Sequence, residues 1–170
     1  MGIDHSTQTL AFCLSIDGVP EYWEEISLKG STAFERVGDL YGKLAARFDN
    51  EQVDILVIEK TARVNSLDTA IKLGFVAGVI IGYFANKKVK VFEAPALSWQ
   101  AATAKPTLSK ADKLALRAAN PKRSKSWYSN EERKIRKQRI IDWVYENFGM
   151  LVPSDCADAI CISVYGSRKL

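Results

Sequence analysis

"VDILVIEK", residues 53–60, is a nearly unbroken apolar run that ends on a carboxylate and a lysine. A strand with one wet face alternates apolar and polar side chains; a continuous run suits a central strand covered by helices on both faces. The flanking segments agree. "GIDHS" (2–6) starts a strand expected to continue, through a kink at Ser6–Thr7, into "TLAFCLSI" (9–16). There Leu10, Phe12, Leu14 and Ile16 recur at period two, which predicts a half-buried strand. Asp17-Gly18 is a hairpin-turn pair, and "YWEEISL" (22–28) returns as a strand. Ser31 or Thr32 caps a helix expected to run to about Phe48. A second helix, from about Ser66 to Asn86, leads to the strand "VKVFE" (89–93).

Beyond Pro95 the spacing predicts a short amphipathic helix over Ser109 to Ala119 and a loop at "NPKRSKSWYSN" (120–130). A long helix then opens on the capping pair Ser129/Glu132 and stops at Gly149, and a last one begins at Ser154. Strands first, then alternating helix and strand, then helices: this order means α/β with a mixed sheet. The 170 residues suffice for one domain (1–170) with a substantial core, carrying a basic helical insertion at about 105–130.

Composition narrows the function. The longest apolar run, Leu73 to Ala85, is too short and too glycine-rich to span a bilayer, so no membrane partner is expected. Cys13, Cys156 and Cys161 form no CxxC pair and His5 is the single histidine, which argues against zinc and suits a reducing cytoplasm. Residues 105–139 hold twelve Lys/Arg against three Asp/Glu, whereas the rest of the chain is net acidic. Such a block is either a solvated, charge-laced helix or the footprint of a polyanion. Ala70, Gly74, Gly78 and Gly82 fall at four-residue spacing on the second helix. Each glycine costs about 1 kcal/mol there relative to alanine, so the stripe needs a packing reason: close approach to the sheet, or a subunit interface.

The last helix opens with "SDCAD" (154–158), placing Asp155 and Asp158 on one face. Carboxylates favour helix N-termini, so capping alone would account for them unless other acids converge on the same point. Asp4 in the first strand and Glu59 at the end of the central strand are such acids, because neighbouring strand ends in an α/β sheet meet at one place. Four clustered carboxylates require a compensating cation. An all-oxygen donor set favours Mg²⁺ or Mn²⁺.

"GIDHS", "VIEK", "DTAIKLGFVAGVIIG" (68–82) and "SDCADAICI" (154–162), in this order, resemble RuvC, the Holliday junction resolvase family of the RNase H-like nuclease superfamily, and its compact bacteriophage forms most. The resemblance spans nearly the whole chain apart from 105–130. It implies an RNase H-like fold, a five-stranded mixed β-sheet flanked by α-helices. It implies that Asp4, Glu59, Asp155 and Asp158 are catalytic and bind two Mg²⁺ (or Mn²⁺) ions, with Asp4 shared. One ion would activate water and the other would stabilise the leaving 3′ oxygen, giving 5′-phosphate and 3′-hydroxyl ends. It further implies branched DNA, a four-way junction, as substrate, and a homodimer through the Ala70/Gly74/Gly78/Gly82 face. Lys134 or Lys137 would supply the family's basic residue near the acids.

Lys105, Lys110, Lys122, Arg123, Lys125, Lys134, Arg136 and Lys137 are the expected phosphate contacts, with Trp127 and Tyr128 either stacking on bases or buried against the body. Two departures stand out. Ser98-Trp99-Gln100 lies where these resolvases have a Val-Lys pair, and "KTARVNS" (60–66) lacks their wedge aromatic. The second leaves open a broad branched-DNA or flap endonuclease, or an RNA-directed relative. "GIDHST" also resembles the phosphate loop of the actin and sugar-kinase superfamily, and a non-catalytic junction binder would share the fold; the filled acidic positions speak against the latter.

Overall fold

The computed structural model describes residues 1–61 and 66–170. Five strands, β1 (Gly2–His5), β2 (Thr9–Ile16), β3 (Val19–Ser27), β4 (Ile55–Glu59) and β5 (Lys90–Ala94), form one sheet in the order β3-β2-β1-β4-β5. The first three pair antiparallel, while β4 joins β1 and β5 in parallel. Among the described residues the helices are α1 (Ala33–Phe48), α2 (Leu67–Asn86), α3 (Ala96–Ala102), α4 (Lys110–Ala119), α5 (Lys125–Phe148) and α6 (Ser154–Lys169). α1 and α2 cover one face and α3, α5 and α6 the other, each over its own apolar cluster.

The central strand is as its sequence predicts: Leu56 and Ile58 face the α1–α2 side, Val57 faces α6, and all three are buried. β2 is not half-buried. Leu10 and Phe12 enter the α1–α2 cluster, and the small Ala11 and Cys13 are equally buried beneath α6. A helix packed that closely needs small residues under it, which period-two counting reads as a polar face. Nor do β1 and β2 form one kinked strand. Ser6 Oγ accepts the Gln8 and Thr9 amides at 3.0 and 2.9 Å and reverses the chain into a hairpin. The next turn does use Asp17-Gly18, both at positive φ.

Thr32 is the cap of α1, in a reciprocal capping box with Glu35. α5 begins four residues before Ser129, capped by Ser124, and Ser129 Oγ instead donates to the Lys125 carbonyl. Most of the expected 120–130 loop is therefore helix. Trp127 and Tyr128 are half-buried and pack edge to face at 5.3 Å, with the Arg123 guanidinium over Trp127 and that of Arg117 over Tyr128. Gly149 ends α5 in the left-handed conformation, as expected.

α2 is longer than its unbroken apolar run. It spans 20 residues with mean hydropathy 1.6 over its best window, long and apolar enough to cross a membrane by length and composition. Val76, Ile80, Tyr83 and Phe84 are buried against the sheet and α1. Gly74, Gly78 and Gly82 lie on the exposed side, where an added Cβ would meet nothing within 4 Å. Close approach to the sheet therefore does not explain the stripe. The glycines that do permit close approach are elsewhere: a Cβ on Gly2 would strike the α6 backbone at Ala159 and Ser163, and one on Gly166 would strike Val57. These two bare positions seat α6 directly on β1 and β4.

Candidate metal centre

β1 and β4 are adjacent and parallel, with Ile3 opposite Ile58 and both facing α1–α2. The next residue on each strand points to the opposite face. Asp4 and Glu59 accordingly emerge side by side on the α6 side, at the carboxyl ends of their strands, as expected for a site in an α/β sheet. α6 crosses that end with Asp155 in its first turn and Asp158 one turn on. One oxygen each from Asp4, Asp155 and Asp158 lies within 4.8 Å of the others. Glu59 lines the same cleft, of about 330 Å³, without joining that tightest group. The helix-end explanation covers only Asp155. Asp158 is half-buried, and its Oδ1 is shut off from solvent with no hydrogen-bond partner among the described residues.

The electrostatics show the strain of this crowding. Burial first, then the charges of Asp158, Glu59 and Asp155, push Asp4 well above the ordinary aspartate range. Burial and the Glu59 charge raise Asp158 to about 7. Burial raises Glu59 as well, opposed by the Trp99 indole N–H. Burial would also raise Asp155, but Lys137 and Ser154 hydrogen-bond to it, both at 2.8 Å, and bring it below its usual value. The lysine at the acids is therefore Lys137; Lys134 instead pairs with Glu131 at 2.7 Å. Half-buried carboxylates crowded together, an orphaned oxygen and an all-oxygen donor set fit a hard divalent cation.

Arg136 and Lys137 line the cleft, joined by Arg133, which also lowers Asp155 and Asp158 through its charge. Arg133 was not among the expected contacts, since nothing in a run of twelve basic residues singles it out. Lys105, Lys110, Lys122, Arg123 and Lys125 are exposed away from the acids, on and around α4 and the start of α5. Two ion pairs, Lys113–Glu132 at 3.2 Å and Arg139–Asp112 at 3.0 Å, tie α4 to α5, and α4 itself buries no side chain. Trp99, on α3, borders the cleft beside Glu59; its short helix follows Pro95 with no side-chain cap and leaves little trace in the sequence. Most of the "KTARVNS" stretch, where the wedge aromatic is missing, lies outside the described residues. A larger cleft, about 830 Å³, sits at the other end of the sheet between the β2–β3 turn and the end of α6, remote from these acids.

No family model and no curated protein matches the chain. Solved structures do. The chain is similar to Thermus thermophilus RuvC in complex with a Holliday junction substrate, at TM-score 0.69 and 16% identity, over 96% of this chain and 89% of that one. A second Thermus thermophilus RuvC structure matches at TM-score 0.62, again at 16% identity, covering 96% and 90%. The fold is RuvC-like. At this identity the likeness is one of architecture: the five-stranded mixed sheet with helices on both faces.

Proposed function

We propose that the chain is a divalent-metal-dependent endonuclease of branched DNA, with the four-way junction as its principal substrate. The observation that carries this reading is the convergence of the half-buried Asp4, Asp155 and Asp158 beneath a basic helix. The likeness in fold to a RuvC seen with a Holliday junction supports it. Asp4 would be shared between two Mg²⁺ or Mn²⁺ ions, with Glu59, Asp155 and Asp158 completing the donor set. When bound, such ions lower the pKa of water and stabilise the charge on a cleaved phosphodiester, leaving 5′-phosphate and 3′-hydroxyl ends. Arg133, Arg136 and Lys137 hold the phosphate backbone over the cleft, and the exposed lysines of α4 and early α5 track its continuation. The exposed glycine stripe of α2, next to exposed Leu67, Ile71 and Phe75, is the face for a second copy. A twofold dimer matches a junction of near-twofold symmetry, since two sites then reach opposing strands. The reading includes a single nuclease domain working in the cytoplasm, that of the host cell if the chain is phage-encoded.

A second reading is favoured by one feature. "KTARVNS" carries no aromatic to wedge into a junction centre, which favours a broader debranching or flap endonuclease. Cleavage of a labelled four-way junction, a flap, an RNA–DNA hybrid and plain duplex with Mg²⁺ or Mn²⁺ separates the two, with Asp158→Asn beside wild type. Paired symmetric nicks in the junction alone, absent in the variant, support the resolvase. Cutting of several branched forms supports the debranching enzyme. No metal-dependent cutting of any substrate refutes both.

A further inference from the structure

Trp99 is 1% exposed, with its rings in the apolar cluster that also holds Ile140, Val144 and Ile160. Its indole Nε1–H is buried and has no partner at normal hydrogen-bond geometry among the described residues. Buried indole N–H groups almost always find an acceptor, so an unmatched one facing a cleft is informative. Glu59 is a carboxylate that lines this cleft together with Trp99, and the indole opposes the rise that burial gives its carboxyl. The backbone behind the indole is fixed. Thr103 Oγ1 donates to the Trp99 carbonyl at 2.8 Å, and Arg168 of α6 donates to the Ala102 carbonyl at 3.1 Å. Glu59 by contrast ends its strand just before the chain leaves the sheet, and it is the acid that stands outside the tight group of three.

We propose that Trp99 is a positioning residue whose indole N–H holds the Glu59 carboxylate toward Asp4, so that Glu59 joins the three aspartates as a cation ligand. This rests on reading the cluster as a metal centre. One Glu59 oxygen accepts a hydrogen bond from the indole N–H, which leaves the other free for the cation. Outer partners of this kind orient ligands and sharpen affinity in metal sites generally.

The test uses the full chain without DNA. The Trp99 indole signal in the ¹H–¹⁵N spectrum, assigned by its absence in Trp99→Phe, should move in Glu59→Gln and again on adding Mg²⁺. Mn²⁺ titration by calorimetry should show about tenfold or greater loss of affinity in Trp99→Phe. Because Phe also shrinks the side chain, Trp99 is replaced as well by benzothienylalanine, which keeps the bicyclic shape and lacks the N–H; it should show the same loss with an unchanged melting temperature. An indole signal indifferent to Glu59→Gln, or isosteric protein that binds Mn²⁺ as wild type does, overturns the proposal alone. Wild type that binds no Mn²⁺ overturns the metal centre and the proposal with it.

Discussion

Asp158 shows what one side chain pays for its position. With its pKa near 7 in the fold and near 3.8 in the open chain, the folded state binds the extra proton between those limits. Stability from this group is therefore full below about pH 4 and is lost as pH rises toward 7, and Asp4 acts in the same direction. Metal-free protein should melt several degrees lower at pH 8 than at pH 5, and millimolar Mg²⁺ should restore most of the difference at pH 8. Asp158→Asn should raise the metal-free melting temperature at pH 8 and abolish both the Mg²⁺ response and cleavage. Lys137 pulls the other way: it occupies Asp155 and so competes with the cation. Lys137→Met should bind Mn²⁺ more tightly by calorimetry yet cut roughly 100-fold more slowly, as loss of one charge-stabilising donor does. The convergence of these acids was legible in the sequence because acids at neighbouring strand ends of an α/β sheet, and two on one face of the last helix, can meet at one point; the β1–β4 register then sets Asp4 and Glu59 on the same face. Trp99 and Arg133 were not, since an indole on a seven-residue helix and one arginine among a dozen basic residues carry no periodic signal.

Among the elements, α6 has the tightest geometric tolerance. Gly2→Ala or Gly166→Ala would insert a methyl between α6 and the sheet, where the backbone at Ala159 and Ser163, or the side chain of Val57, leaves no room. Each should cost about 1–3 kcal/mol in urea denaturation. Each should also weaken Mn²⁺ binding although neither touches the acids, because Asp155 and Asp158 move with the helix. The sequence placed α6 and both of its aspartates correctly but misjudged β2, because small residues under a close helix resemble a wet face. It also misplaced the start of α5. Ser129 with Glu132 makes the better capping box on paper, whereas Trp127 and Tyr128, gripped between Arg123 and Arg117, extend the helix back to Ser124.

At the scale of the molecule, the outer face of α2 and the basic arm of α4 and early α5 make the two remaining tests. Gly78→Arg should convert the proposed dimer to a monomer in sedimentation at micromolar protein while leaving the monomer fold intact, since an added Cβ meets nothing within 4 Å among the described residues. Junction affinity should fall linearly with the logarithm of salt concentration, with a slope of about −0.9 for each phosphate neutralised. α4 adds something to that slope. It buries no side chain and is clasped to α5 by Lys113–Glu132 and Arg139–Asp112, contacts that mobile ions weaken. On the proposed function, rising salt would act twice, thinning the attraction to the DNA and slackening the arm that presents the charge. A phosphate count inferred from the salt slope would exceed the number of phosphates the protein touches, and a covalent tether between α4 and α5 would bring the two numbers together.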